Sequence, residues 1–191
     1  MKFNMGCGQN RIAGYVNVDA YAACEPDEVW NLEQTPWPWP DSCATEVLFN
    51  HSLEHMGADP QVFLALMQEL YRIAKDGCLI TIRVPHPRHD HFLNDPTHVR
   101  AITPELLTLF DWEANERARA LGAANTPLAF YTGVDFKLVE RSSVLDEPYA
   151  GRLRTGQISR AELDELIRER NNVVAEYRLK IMARKPGPAG A

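Results

Sequence analysis

No apolar run in the 191 residues approaches the roughly 20 consecutive positions that a membrane helix needs. The opening Met-Lys-Phe-Asn-Met-Gly-Cys-Gly is too short and too polar for a secretory signal, so a cytoplasmic product is expected. Positive charge is also in short supply: 20 Lys and Arg face 26 Asp and Glu, a net charge of −6. That balance argues against a nucleic-acid or anionic-membrane binder driven by bulk charge. Cysteine is sparse. Cys7, Cys24, Cys43 and Cys78 are separated by 17, 19 and 35 positions, leaving no Cys-x-x-Cys pair for a thiolate zinc site or a redox dithiol. In a reducing compartment these four read as small buried hydrophobes. There is no internal repeat and no low-complexity domain. What remains is an average globular mixture, 45% apolar and 24% charged, at the length of one domain.

The apolar pattern is that of an α/β chain. Phe3 to Met5 form a short strand that runs into Gly6-Cys7-Gly8. Tyr15 to Asp19 alternates and is β-branched, a second strand ending on an acid, and Glu28 to Leu32 is a weaker third. Pro36-Trp37-Pro38-Trp39-Pro40 is a stiff loop, with the two indoles expected to anchor it to the core. Glu46 to Asn50 is a fourth strand. Asp59-Pro60 starts a helix whose apolar face is Val62, Phe63, Leu66, Met67, Leu70, Ile73 and Ala74, and Gly77 is expected to end it. Leu79 to Val84 follows as a buried strand. Region 86–130 lacks strands, with a short helix from Pro104 to Phe110 started by Thr103. Two last strands are expected near 135–139 and 173–183, and between them a polar helix opens with the capping box Ser159/Glu162. The expected domain is 1–184, with 86–130 and about 145–172 as substrate-side insertions and 185–191 as a disordered tail.

A strand breaking into Gly-x-Gly lets backbone approach a ligand closely, and a second strand ending in Asp19 places a carboxylate where it can accept both hydroxyls of a ribose. The third glycine of the dinucleotide fingerprint is missing, and only ten residues separate Gly8 from Asp19, against about 20 in NAD-type sites. A ligand with a ribose and no pyrophosphate fits that spacing better.

Phe3-Asn4-Met5-Gly6-Cys7-Gly8, Val18-Asp19, Asn31-Leu32, Glu46 to His55 and the strand at 79–84 resemble the class I S-adenosylmethionine-dependent methyltransferases. The likeness is to short bacterial members whose first helix is cut down to a loop, and it covers residues 2 to about 85. It implies a Rossmann-like fold: a mostly parallel sheet flanked by helices, with the last strand antiparallel. It also implies S-adenosyl-L-methionine as cofactor, with Asn4, Gly6, Cys7, Gly8, Asp19, Asn31, Leu32 and Asn50 around it. Asn4 and Asn31 stand where acids are usual in the family. The covering N-terminal helix is lacking, which leaves room for a lid borrowed from a second subunit in a homodimer.

All six histidines fall between positions 51 and 98. His51 and His86, each following a strand, are the candidate catalytic bases for an acceptor that must lose a proton. His89, Asp95, His98 and Arg100 are the candidate substrate-binding residues. His51-Ser52-Leu53-Glu54-His55 also matches H-x-x-E-H, the inverted zinc-hydrolase motif. Some ubiquinone-pathway and small-RNA methyltransferases hold a divalent metal through Glu-x-x-Glu-His at this place. The resemblance thus allows a metal on His51, Glu54 and His55, though none is expected. The leading expectation is methyl transfer to a small molecule or glycan precursor. Its rivals are a metal-dependent hydrolase and a non-catalytic cofactor-binding module.

Overall fold

The computed structural model describes residues 1–185, so the tail expected from 185 onward lies almost wholly outside the described residues. Seven strands form one sheet in the order β3-β2-β1-β4-β5-β7-β6. They are β1 (Lys2–Met5), β2 (Val16–Asp19), β3 (Glu28–Val29), β4 (Ala44–Asn50), β5 (Ala74–Pro85), β6 (Phe136–Leu145) and β7 (Val174–Ala183). β1 to β5 run parallel, and β7 is inserted antiparallel between β5 and β6. The antiparallel last strand and the flanking helices are as expected.

Register explains the residue pattern. Phe3, Val47, Ile80 and Ile181 lie side by side across four strands, as do Met5, Phe49, Ile82 and Leu179, and all are buried. Helix α1 (Pro60–Ile73) covers this face with Phe63, Leu66, Met67, Leu70 and Ile73. Its start is as the sequence predicts: the Asp59 carboxylate accepts the Gln61 N–H at 2.8 Å, and Pro60 needs no partner there. The other face carries Lys2, Glu46, Thr81, Arg83, Arg178 and Lys180, laced by Lys2–Glu46 at 2.9 Å and Lys180–Glu140 at 2.7 Å. Parallel sheets sandwiched between two helical layers read as continuous apolar runs. These strands alternate because one face is solvated.

In place of a first helix, residues 7–15 form a loop held down by asparagines. Asn4 Nδ2 donates to Asn10 O at 2.8 Å and to Asn17 Oδ1 at 2.9 Å, while Asn17 Oδ1 also accepts the Ile12 N–H. The tryptophan loop is anchored as expected. Both indoles are buried; Trp37 Nε1 donates to Leu32 O at 2.9 Å and Trp39 Nε1 to Glu28 Oε2 at 2.8 Å.

Several boundaries differ from expectation: β5 starts at Ala74 rather than Leu79, and β6 runs on to Leu145. β3 is two residues long: the Trp30 N–H still bonds Asp19 O at 2.9 Å, and the chain turns from Leu32. The helix ends at Ile73 rather than at Gly77, and Ala74 already pairs with Ala44. Gly77, at φ +74°, sits in a bulge where β5 advances from 74 to 79 while β4 advances from 44 to 46.

Region 86–130 is strand-free as expected, but it contains α2 (Asp90–Leu93), α3 (Pro104–Thr108), α4 (Trp112–Ala120) and α5 (Leu128–Thr132). The connection from β6 to β7 forms α6 (Tyr149–Arg154) and α7 (Arg160–Glu169), which gather Ile158, Leu163 and Val173 into a small second core. The Ser159/Glu162 capping box is present. Both connections leave the sheet at the rim formed by the end of β5 and the start of β7. Among the described residues no helix is long and apolar enough to cross a membrane.

Arg72 ties α1 to the tryptophan loop, bonding Glu69 through Nε and Nη2, Asp41 through Nη1, and the carbonyls of Trp37 and Trp39. The same guanidinium, with the Trp37 N–H, holds the Glu69 carboxyl below its ordinary pKa of 4.5. A depressed carboxyl stabilises the fold above its unfolded pKa, and that contribution vanishes as pH falls through the folded value. Arg72→Met is expected to cost about 2 kcal/mol at neutral pH. In urea titrations the gap from the wild type should narrow as pH falls below 4.5.

Candidate functional site

β1 ends where Gly6 turns the chain at φ +68° and Gly8 at φ +49°. The Gly6 and Cys7 N–H groups both donate to Val18 O, at 2.9 and 3.0 Å, stapling the turn to β2. A side chain at Gly6 has no room: its Cβ would lie 2.5 Å from Ser52 Cβ. Ser52, just past β4, donates its hydroxyl to Met5 O at 2.7 Å and so fixes that approach. Over Gly8 nothing lies within 4 Å. The turn is tight underneath and open above.

The open side is a cleft of about 330 Å³ at the C-terminal ends of β1, β2 and β4. That volume is at the lower end for small-molecule sites. Gly6, Gly8, Asp19, Asn31, Leu32 and His51 line it, all expected from sequence, together with Trp30, Ser52, His55 and Met56. Asp19 has two tasks. Its Oδ2 accepts the Gly8 N–H at 2.8 Å and its Oδ1 the Tyr21 N–H at 2.9 Å. Each oxygen keeps a second lone pair for a ligand hydroxyl. Asn31 Oδ1 accepts the Glu33 N–H at 3.0 Å, which sets the loop beneath the cleft.

Three expected cofactor residues lie elsewhere. Asn4, Cys7 and Asn50 border a neighbouring cavity of about 100 Å³ with Arg83, and Gly6 is shared by the two spaces. The cause is strand parity. Asn4 and Asn50 point to the polar face of the sheet, opposite to Met5 and Phe49.

The histidines separate into different roles. His51 lines the cleft at φ +53°, a left-handed backbone that costs a non-glycine residue about 1–2 kcal/mol. Its Nε2 meets Glu176 Oε2 at 2.7 Å and its Nδ1 faces Glu54 Oε1 at 3.6 Å. Glu54, and after it Glu176, raise the imidazole pKa against the opposing effect of burial. Glu176, on β7, escaped the sequence reading.

His86 does not join the cleft. It is buried against the Tyr177 ring, its Nδ1 accepts the Arg88 N–H at 3.1 Å, and burial lowers its pKa. His89 caps α2 through the His91 N–H and meets Asp146 at 3.0 Å, tying the rim to the second insertion. Both side chains are buried away from the cleft, and His89 has both ring nitrogens engaged. Arg100 is likewise committed: its Nη2 donates to Gly57 O and its guanidinium lies 4.3 Å from the Phe63 ring centroid. Asp95 and His98 lie beside Glu54 and His55.

The hydrolase rival requires His51 and His55 on one helix. Here His51 follows a strand, and Leu53–His55 is a single 3-10 turn, so the helical zinc-hydrolase geometry is absent.

No family model matches the chain and no curated protein is similar to it in sequence. Solved structures do share its fold. One is an S-adenosylmethionine-dependent methyltransferase from Archaeoglobus fulgidus, 18% identical, with 95% of this chain and 85% of that one covered at a TM-score of 0.64. Another, from Methanosarcina mazei, carries the same description at 12% identity, 97% and 92% coverage and a TM-score of 0.55. A third, from Thermotoga maritima, is described as a methyltransferase with histamine as its suggested substrate. It is 14% identical, with 96% and 81% covered and a TM-score of 0.54.

Gly6→Ala is expected to destabilise the fold by more than about 2 kcal/mol, combining backbone strain with the clash on Ser52. Gly8→Ala, with open space above it, should cost about 1 kcal/mol. Urea midpoints of the two variants check the order. In strand order, in the position of its antiparallel strand and in its first glycine turn, the chain has the Rossmann-like fold of the class I S-adenosylmethionine-dependent methyltransferases.

Proposed function

We propose that this chain transfers the methyl group of S-adenosylmethionine to a small-molecule or glycan-precursor acceptor. One observation carries the reading. The open-topped turn at Gly6–Gly8 and the Asp19 carboxylate border the same cleft, at the sheet edge where open α/β folds bind ligands. In this reading Asp19 accepts the ribose hydroxyls, while Asn31 and Leu32 frame the adenine. The amino-acid end of the cofactor crosses Gly6 toward the smaller cavity, where Arg83 faces its carboxylate and Asn50 lies alongside.

Methyl transfer from a sulfonium is an in-line displacement, and the main task of the protein is to hold the acceptor at near-attack distance. Of the two histidines expected to face an acceptor, His51 is the one in the cleft, its ring anchored by Glu176. The connections at 86–130 and 145–172 rise at the adjacent rim and are the segments we assign to acceptor binding. A net charge of −6 favours an uncharged or cationic acceptor over a polyphosphate chain.

Isothermal titration with S-adenosylhomocysteine tests the cofactor assignment. Asp19→Asn keeps the size of the side chain but loses one acceptor oxygen. It is expected to weaken binding about 10-fold, the value of one charge-assisted hydrogen bond. Absence of binding to the wild-type chain at millimolar ligand would overturn the reading.

A further inference from the structure

Glu54 is fully buried, and neither of its carboxylate oxygens has a hydrogen-bond partner. Its nearest basic neighbour, His51 Nδ1, stands 3.6 Å from Oε1, beyond hydrogen-bond distance, so both oxygens remain unbonded where buried carboxylates are as a rule bonded, and a cation would satisfy them. Arg100 does not supply it, being held by Gly57 O and the Phe63 ring. What surrounds Glu54 is imidazole. Its backbone carbonyl accepts the N–H groups of Val99 and Arg100, at 3.0 and 3.1 Å, and this strap brings His98 against the carboxylate.

Besides His51, two histidines adjoin Glu54, and in their neutral forms both present lone pairs to it. His98 Nδ1 is 3.0 Å from the carbonyl oxygen of Phe92, which can only accept, so Nδ1 bears a hydrogen and in the neutral ring Nε2 carries the lone pair. That Nε2 lies 3.9 Å from Glu54 Oε1 and 3.8 Å from Asp95 Oδ2, close enough for a cation to bridge them. At His55, Nδ1 meets the Thr97 hydroxyl at 2.9 Å, and that hydroxyl already donates to Asp95 at 2.6 Å. Thr97 therefore accepts from His55, and the other ring nitrogen keeps its lone pair. Ring nitrogens whose second N–H is fixed by a carbonyl or a carboxylate-backed hydroxyl are the arrangement of metal-ligating histidines.

From this geometry we infer that Glu54, His55 and His98 form a binding site for a first-row divalent transition metal of the Zn²⁺ type. Their ligand atoms lie within 4.8 Å of one another. Donors around a tetrahedral Zn²⁺ at about 2.0–2.1 Å stand roughly 3.4 Å apart, so the three side chains need to close by only about an ångström. Two imidazoles and one carboxylate select Zn²⁺ or its neighbours over Mg²⁺ and Ca²⁺, which take all-oxygen shells. The set differs from the one read off the sequence: His51 is drawn off by Glu176, and His98 takes its place. Because His55 also lines the cofactor cleft, an acceptor oxygen entering there can complete the coordination. That last role rests on the methyltransferase reading; the site itself does not.

The test uses the full chain, stripped with a chelator and titrated with Zn²⁺ and with Mg²⁺ in the absence of cofactor. Calorimetry and elemental analysis of the dialysed protein give the affinity and the stoichiometry. One Zn²⁺ per chain is expected, with a rise in Tm and Mg²⁺ at least 100-fold weaker. Glu54→Gln and His98→Ala should each lose this binding, and Thr97→Val, which frees only the His55 ring, should weaken it about 10-fold. His51→Ala should keep it. Metal-free Glu54→Gln should melt above the metal-free wild type, because it removes a buried charge that no hydrogen bond satisfies, and this separates loss of the site from loss of the fold. Failure to bind Zn²⁺, or an effect of His51→Ala as large as that of His98→Ala, overturns the inference. Titration of S-adenosylhomocysteine in chelator is read separately, so neither result stands in for the other.

Discussion

The contact between Gly6 and Ser52 is the constraint on which the site depends. A hydroxyl just beyond β4 bonds the last carbonyl of β1, and the two backbones come so close that only a glycine fits between them. That approach places the end of β4, and with it His51, Glu54 and His55, beside the turn that faces Asp19. It extends the pairing of β1 with β4, which ends at Met5 and Phe49, by one more bond at the mouth of the cleft. The left-handed backbone at His51 is the cost of turning the chain so sharply after β4, and strain of this kind collects at functional positions.

A second consequence follows from the shortness of the chain. With residues 7–15 reduced to a loop, asparagine side chains take over the task of a covering helix, satisfying backbone groups that would otherwise be stranded. The remainder of that sheet face is polar and cross-linked by ion pairs between strands. Such exposed pairs contribute little to stability. They do keep a solvated sheet face soluble. The fold thus spends its apolar residues on one layer, where α1 and the tryptophan loop seal the core.

The parts of this architecture legible in sequence were those with a local physical signature. Asp59-Pro60, Thr103 and the Ser159/Glu162 pair announced helix starts because capping is decided within four residues. Strand β2 was visible through its alternation, and β4, β7 and the 79–84 part of β5 through their apolar and β-branched runs. Helix α4 was not, since its one buried residue, Asn115, gives it no apolar stripe. The end of α1 was misplaced because a bulge glycine and a helix-terminating glycine share the same left-handed φ. Among the residues lining the cleft, Gly6, Gly8 and Asp19 were legible from a strand breaking into Gly-x-Gly and a second strand ending on an acid, and His51 from its place after β4, whereas Asn31 and Leu32 were implied only by the family resemblance. His86 and His89 were not separable from working histidines, because what sets them apart is burial and a backbone N–H two residues on. Glu176 lies 125 positions from His51 and is brought to it by the antiparallel insertion of β7. No local pattern could have paired them.

The central claim is that a nucleoside ligand sits over the first turn, between Gly8 and His51. Amide chemical-shift mapping of the labelled chain during titration with S-adenosylhomocysteine addresses it directly. The account predicts the largest shifts at Gly6, Gly8, Asp19, Leu32 and Ser52, with the cavity beside Tyr71 and Trp112 unaffected. Shifts centred on that second cavity, or on the groove between β6 and α7, would contradict it.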